Sequence, residues 1–158
     1  MNKLLDLFGK EGVGFQLYEH EPVYTSEEAS RVRGVDLKTG VKALVLKSDG
    51  GRYILADLAA DRRVDVKRLE RAVGVGRLHF ATREEVVSVT GCEPGSVHPF
   101  GRLFGLATYL DPSVLENEHV NFNIGLLTRS VNIRREDLKR LLNATLVDFA
   151  KAAVPTEH

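Results

Sequence analysis

The segment from Gly95 to Gly101 is the stretch of this chain whose residue types are best suited to chemistry with backbone groups. Its order is Gly-Ser-Val-His-Pro-Phe-Gly. Glycine permits backbone conformations that other residues avoid, and proline fixes one dihedral angle and lacks an N–H group. Such a loop can direct neighbouring N–H groups at a ligand oxygen, although an ordinary surface turn is the commoner use of glycine and proline. Both interpretations stay open from this segment alone.

Lys42 is a second candidate, because it lies in an apolar run that has the alternation of a strand. Alternation places it on the same face as Leu44 and Leu46. A lysine at this position either extends to solvent at the rim of the sheet or lies at the entrance of a pocket. In a pocket its ammonium group would meet a phosphate or ribose oxygen.

His119 and Asn123 form a further polar pair, four residues apart and followed by Gly125. His119 has acidic neighbours, Glu116 and Glu118, which are typical of an exposed segment. Asn123 lies within a run that favours a strand, where an amide usually needs a hydrogen-bond partner or a ligand.

Other familiar chemistries have no matching pattern in this sequence. No HExxH spacing and no cluster of histidine with acidic residues predicts a metal, and we expect no cofactor. The chain has neither a G-x-S-x-G elbow nor a P-loop. Cys92 is the single cysteine, which excludes an internal disulfide and leaves a nucleophile without an identifiable base.

Composition favours one globular domain over residues 1–158, since 43% of the residues are hydrophobic and 28% are charged. The 22 basic and 22 acidic residues balance, so no overall field would drive nonspecific binding to nucleic acid. Residues 1–10 lack the apolar core of a signal peptide, and no apolar run approaches membrane-spanning length. We expect a soluble, cytoplasmic protein without a membrane partner.

The elements that must position these residues are predicted as a mixture of strands and helices. The firmest is a hairpin of strands 41–46 and 53–58 around the Ser48–Gly51 turn. Thr82 and Glu85 have the spacing of a capping box ahead of a helix through Val89. Further helices are predicted over 4–8, 25–34, 66–73 and 136–142, and further strands over 15–18, 77–80, 103–110, 120–124 and 130–133. The expected fold class is α+β, a single domain with a curved mixed β-sheet flanked by helices.

In this order, the elements and motifs resemble the YbaK and prolyl-tRNA-editing domain family over nearly the whole chain. The most specific parts are the Gly95-x-x-x-Pro99 loop with Phe100 and Gly101, and the strand lysine Lys42. Less specific matches are His20–Pro22, the helix at Asp65–Gly74, Asp111 and the segment Asn121–Ile133.

This resemblance implies a free-standing, metal-independent hydrolase that removes a wrongly attached amino acid from tRNA, above all Ala, Cys or Ser from tRNA(Pro). Lys42 would engage the phosphate and ribose end of the tRNA, and Gly95, Ser96 and Val97 would surround the aminoacyl ester with backbone donors. Ser96 is expected to donate a hydrogen bond to the substrate rather than to act as a nucleophile. Further substrate contacts are expected from His98, Pro99, Phe100, Gly101, His119, Asn123, Gly125, Thr25 and Arg31. Val97, Phe100 and Ile124 are expected to form the wall of a small selective pocket.

The implied partner is the acceptor end of aminoacyl-tRNA, with prolyl-tRNA synthetase as a second candidate. His119 and Asn123 match the His-x-x-x-Asn spacing of alanine-specific relatives, but Val120 and Asn121 stand where those relatives tend to carry Pro and Leu. Local cations for tRNA binding are expected among Arg31, Arg33, Lys38, Lys42, Arg129, Arg134, Arg135, Lys139 and Arg140. Two other functions stay open: a module that binds aminoacyl-tRNA or a synthetase without hydrolysis, and a hydrolase of small acyl esters.

Overall fold

Strands and short helices are mixed along residues 2–19 and 37–152, the parts of the chain that the computed structural model describes. The helices of these parts are α1 (Asn2–Lys10), α2 (Val66–Val73), α3 (Arg83–Thr90) and α4 (Arg135–Leu142), and 3₁₀ turns lie at Leu37–Thr39, Gly101–Phe104 and Pro112–Glu116. The strands are β1 (Gln16–Glu19), β2 (Val41–Ser48), β3 (Tyr53–Ala59), β4 (Arg62–Val64), β5 (Leu78–Phe80), β6 (Ala107–Leu110), β7 (His119–Leu126), β8 (Arg129–Arg134), β9 (Thr145–Leu146) and β10 (Ala150–Ala152). The helix expected over 25–34, with Thr25 and Arg31, lies outside the described residues.

The strands form a mixed five-stranded sheet in the order β5-β2-β3-β6-β9, an antiparallel sheet β1-β8-β7 and a pair β10-β4. In the larger sheet β2 runs antiparallel to β3 and β5, whereas β3, β6 and β9 run parallel. One isolated parallel bridge, between Gly40 and Asn121, connects the start of β2 to β7. The expected α+β class with a mixed sheet is confirmed, and its strands are divided among separate sheets.

The predicted hairpin and helix ends follow the local sequence closely. Gly51 adopts a φ of 87° in the β2–β3 turn, and its N–H donates to the Ser48 carbonyl at 2.9 Å. Thr82 and Glu85 form both hydrogen bonds of the predicted capping box at the start of α3. Gly74 and Gly91 end α2 and α3 in the left-handed conformation that glycine adopts without a Cβ penalty.

One strand differs from its prediction over 103–110, because β6 begins only at Ala107. The preceding residues form a 3₁₀ turn that ends at Gly105, whose φ of 72° directs the chain into the sheet. An apolar run of this length has the composition of a strand, but the positive φ requires a turn within it.

Three clusters of buried apolar side chains hold these layers together. The largest joins α1, α4 and the three-stranded sheet around Phe8, Phe100 and Phe122. A second lies between the five-stranded sheet and α2, and a third lies under α3 and includes Val45, Leu55 and Val97. Within the described ranges no helix is long and apolar enough to cross a membrane.

Candidate active site

The site is built where part of the β2 edge has no neighbouring strand among the described residues. Strand β5 pairs only with Leu46–Ser48, and the Val45 carbonyl accepts the N–H of Ala81 at 3.0 Å. At the other end, Gly40 makes the bridge to β7. The edge between Gly40 and Val45 therefore has no partner strand within residues 2–19 and 37–152.

The glycine-proline loop lies beside this open edge and is held by β7. The side-chain amide of Asn123 donates to the Gly95 carbonyl at 2.5 Å, and the Gly125 N–H donates to the Ser96 carbonyl at 2.8 Å. An irregularity in the pairing of β7 with β8 after Asn123, where Gly125 has a φ of 95°, accompanies these contacts. Gly95 itself is exposed and has a φ of 90°, which favours glycine at this position.

The loop offers backbone donors, but fewer than the sequence suggested. Ser96 is 1% exposed, and its N–H and its hydroxyl both donate to the Glu93 carbonyl, at 3.0 and 2.7 Å. The structure thus differs from the expectation that the Ser96 hydroxyl donates to substrate. The N–H groups of Gly95, Val97 and His98 have no acceptor within the described part of the chain.

A small apolar cavity of about 180 Å³, which we call the edge slot, lies between the open edge of β2 and the loop. Its lining residues are Ala43, Leu44, Val45, Phe80, Ala81, Val86, Pro94, Gly95 and Val97. None of them carries a charge, and Phe80 is 56% exposed at its rim. The slot therefore suits a small, largely apolar group beside the Gly95 backbone.

Lys42 lies next to the edge slot on β2. It directly precedes the slot residues Ala43–Val45 without lining the slot itself, and strand alternation places its side chain on the same face as Leu44, about 7 Å along the strand. Lys42 is half-buried, and burial lowers the pKa of its amino group, an effect partly opposed by Asp61. No hydrogen bond or ion pair of this amino group occurs within residues 2–19 and 37–152. A partly desolvated cation without a counter-charge in contact is prepared for an anionic ligand.

The remaining loop residues are buried. Phe100 is 0% exposed in the largest apolar cluster, as is Ile124, so neither forms the wall of the edge slot. Pro99 is buried as well. A Cβ on Gly101 would overlap Oγ1 of Thr108 and lie 3.0 Å from the Leu106 carbonyl oxygen. Gly101 is thus required by close packing.

His98 and His119 both lie apart from the edge slot. The His98 ring is 4% exposed and stacks on Phe104 with a centroid distance of 4.4 Å. His119 is exposed at the start of β7, opposite Arg134, and borders a groove that also includes Phe15. Four strand residues, or about 13 Å, separate His119 from Asn123, so the structure does not join this pair in one site.

Asp57 is a residue that the sequence interpretation missed. It is 0% exposed on β3, directly opposite the slot residue Ala43, and neither carboxyl oxygen has a hydrogen-bond partner among the described residues. Burial raises the pKa of this carboxyl well above its usual range. A single acidic residue in the apolar run 54–59 was the available signal. No group of three or more metal-ligating side chains occurs in the described ranges.

Comparison with known proteins gives a consistent family. Residues 20–141 match the family model described as an aminoacyl-tRNA editing domain. The multifunctional Ser/Thr-tRNA deacylase ProXp-y of Escherichia coli (strain K12) is 36% identical over 155 residues, which cover 96% of this chain and 93% of that protein. The prolyl-tRNA editing protein ProX of Acetoanaerobium sticklandii is 27% identical over 137 residues, 84% of each protein.

A solved structure gives the same result for the fold. It is described as a candidate trans-editing enzyme for prolyl tRNA synthetase, and it superposes with a TM-score of 0.83 and 27% identity over 96% of each chain. The expectation of an editing enzyme that hydrolyses aminoacyl-tRNA is thereby confirmed at the level of the family. By sequence and by fold, the chain belongs to the aminoacyl-tRNA editing domain family.

Proposed function

We propose that this protein is a free-standing deacylase that hydrolyses the ester of tRNA carrying a small wrong amino acid, Ala, Cys or Ser, with tRNA(Pro) as the first candidate tRNA. The observation that carries the proposal is a half-buried lysine without an ion pair among the described residues, close in sequence to a slot that is lined by backbone donors. Gly95 lines one small apolar slot, Lys42 directly precedes the slot residues Ala43–Val45 on β2, and neither the Gly95 N–H nor the Lys42 amino group has a hydrogen-bond partner within the described residues.

Hydrolysis of an activated ester needs a positioned water and stabilisation of the oxyanion that forms on the carbonyl carbon. The N–H groups of Gly95 and Val97 supply donors for that oxyanion, because the N–H of Ser96 already bonds Glu93. One such donor contributes about 3 kcal/mol in enzymes where it was removed. The attacking group is water or a ribose hydroxyl of the tRNA, since the buried Ser96 hydroxyl donates to the Glu93 carbonyl and no base accompanies it.

Lys42 binds the phosphate or ribose oxygens at the end of the tRNA. Within residues 2–19 and 37–152 no carboxylate contacts this half-buried ammonium group, which has lost part of its hydration without gaining an ion pair there. A phosphate oxygen would supply the missing partner. Binding energy is then concentrated at the terminal nucleotide, next to the ester.

The dimensions of the edge slot support a small amino-acid side chain. Ala43, Val45 and Val97 are among the residues that enclose about 180 Å³, which gives room for a small side chain beside Gly95. An apolar pocket separates side chains that differ by one methylene only by about 1 to 3 kcal/mol, so we attribute the rejection of proline to the shape of the slot rather than to fine differences in affinity. Serine is common to the expected set and to the name of the Escherichia coli relative.

The acceptor end of tRNA is the proposed partner, with a few local cations guiding it. Three of the expected cations already form ion pairs and are therefore less available to bind tRNA: Arg129 pairs with Glu19, Arg135 with Glu136 and Arg140 with Asp137. Lys38, Arg134 and Lys139 are exposed without an ion pair among the described residues. Prolyl-tRNA synthetase is a second proposed partner, supported by the description of the similar solved structure.

A deacylation panel tests this function. It uses tRNA(Pro) carrying Ala, Cys, Ser or Pro and tRNA(Thr) carrying Ser, together with free amino-acid ethyl esters. We expect hydrolysis of at least one mischarged tRNA and none of prolyl-tRNA(Pro). Binding without turnover would instead favour the non-catalytic module, and equal turnover of free esters would favour a small-ester hydrolase.

Two lysine variants on the same strand assign the role of Lys42. Lys42→Met should lower kcat/KM about a hundredfold, which corresponds to about 2.7 kcal/mol. Lys47→Met is the matched control, because Lys47 lies on the same strand and already pairs with Glu85 at 2.8 Å. An unchanged rate for Lys42→Met, or an equal loss in both variants, would refute the assigned role.

A further inference from the structure

We propose that a second cavity, separate from the edge slot, binds a small monocarboxylate through the Nε2–H of His98. This His98 cavity has a volume of about 350 Å³. Its lining residues are Lys3, Leu4, Thr90, Gly91, Cys92, His98, Leu103, Phe104, Gly125 and Leu126. It shares no lining residue with the edge slot.

The hydrogen bond of the His98 ring shows which nitrogen is left for a ligand. Nδ1 accepts the N–H of Phe100 at 3.2 Å, so the proton of the neutral ring is on Nε2. Burial lowers the pKa of His98 to about 4, and the ring is neutral near pH 7. Stacking on Phe104 fixes the ring plane. Nε2–H has no acceptor in the described part of the chain, although buried donors normally have one.

The lining residues select the chemical class of the ligand. Lys3 contributes an ammonium group, and no aspartate or glutamate is present, so the cavity favours an anion over an amine. Leu4, Leu103 and Leu126 offer an apolar surface. A carboxylate with an apolar body satisfies both features, and the volume lies within the range of small-molecule sites.

The His98 cavity also borders the point where β7 holds the glycine-proline loop. Gly125 lines it, and the N–H of Gly125 holds the Ser96 carbonyl at 2.8 Å. A ligand there would touch both His98 and the strand that anchors the loop. This inference concerns binding alone and is independent of the proposed deacylase activity.

The test is a titration of the full chain with 3-phenylpropionate, followed by NMR of the His98 ring and the Leu126 methyl groups. The neutral 3-phenylpropionamide is the matched probe. We expect saturable shifts at both residues with the acid, and binding of the amide that is weaker by about tenfold, the effect of losing a charge-assisted hydrogen bond.

Two variants complete the test. His98→Asn keeps an acceptor for the Phe100 N–H but lacks the Nε2 donor, and it should weaken binding of the acid by about tenfold. Lys3→Gln changes an exposed side chain and should weaken the acid without affecting the amide, so it decides the matter if His98→Asn does not fold. Absence of saturable shifts at His98, or equal binding of acid and amide, would overturn the proposal.

Discussion

The buried carboxyl of Asp57 should make the stability of this protein fall as the pH rises above about 4. In the unfolded chain an aspartate titrates near pH 3.9. In the folded chain burial raises the pKa of Asp57 well above that value, and no described residue donates a hydrogen bond to this carboxyl. The folded state therefore holds a proton that the unfolded state releases, and this contribution to stability is full below the unfolded pKa. It is lost progressively until the pH passes the folded pKa.

The size of the change in the free energy of unfolding follows from the single proton that Asp57 binds. Between the two pKa values the free energy of unfolding should decrease by about 1.4 kcal/mol for each pH unit. In a domain of this size 1 kcal/mol corresponds to about 2 to 4 °C in Tm. A step of one pH unit within this window should thus lower Tm by about 3 to 6 °C through Asp57 alone.

The assay compares urea and thermal unfolding of the wild type and Asp57→Asn from pH 4.5 to pH 7. Asparagine keeps the shape and cannot ionise, so other carboxylates cancel in the difference. Among these, Glu85, whose pKa its hydrogen bond with Lys47 lowers to about 2, acts in the opposite direction and at lower pH. Parallel pH profiles for the two proteins would refute the reasoning. Asp57→Val, which removes the unpaired polar group, should add about 1 to 3 kcal/mol at pH 7.

Three further predictions concern the loop and the tRNA contact. Asn123→Ala should slow deacylation by releasing the Gly95 carbonyl, and Asn123→Asp should slow it more, because a carboxylate repels that oxygen; equal rates for both variants would contradict this. Gly101→Ala should cost about 1 to 3 kcal/mol in urea unfolding through overpacking, with part of the loss restored by Thr108→Ala, and additive losses would argue against the contact. The slope of log KM against log salt for mischarged tRNA should decrease by about 0.7 in Lys42→Met, and an unchanged slope would exclude a phosphate contact.

Local signals in the sequence predicted the elements that local chemistry controls. The hairpin turn needs glycine at a positive φ, and the capping box at Thr82 uses residues three positions apart, so both are visible in a short window. The division of the strands among separate sheets depends instead on pairings such as Gln16 with Asn132, which no local pattern encodes. The short strands β4, β9 and β10 were missed for the same reason.

In the candidate site, too, the sequence predicted what depends on local patterns and missed what depends on the fold. Lys42 and Gly95 were selected because strand alternation and glycine-proline spacing are local features; Gly95 lines the edge slot, and Lys42 directly precedes the slot residues Ala43–Val45 on β2. The pairing of His119 with Asn123 failed because a strand extends the four-residue spacing to about 13 Å. Ser96 and His98 were assigned to substrate because the sequence does not reveal which side of a loop faces the interior.

The proposed catalytic groups belong to different layers of the protein. Lys42 lies on β2 of the five-stranded sheet, whereas Gly95 is held by Asn123 of the three-stranded sheet. Among the described residues, the Gly40–Asn121 bridge and the packing of Val41 against the cluster of Phe100 and Phe122 join the two layers near the site. A core change such as Phe122→Leu would therefore lower turnover, because it would let the two layers, and with them Lys42 and Gly95, shift relative to each other. Deacylation activity should decline at denaturant concentrations that leave each sheet intact. The deacylation rate would then report the stability of the contact between the two layers.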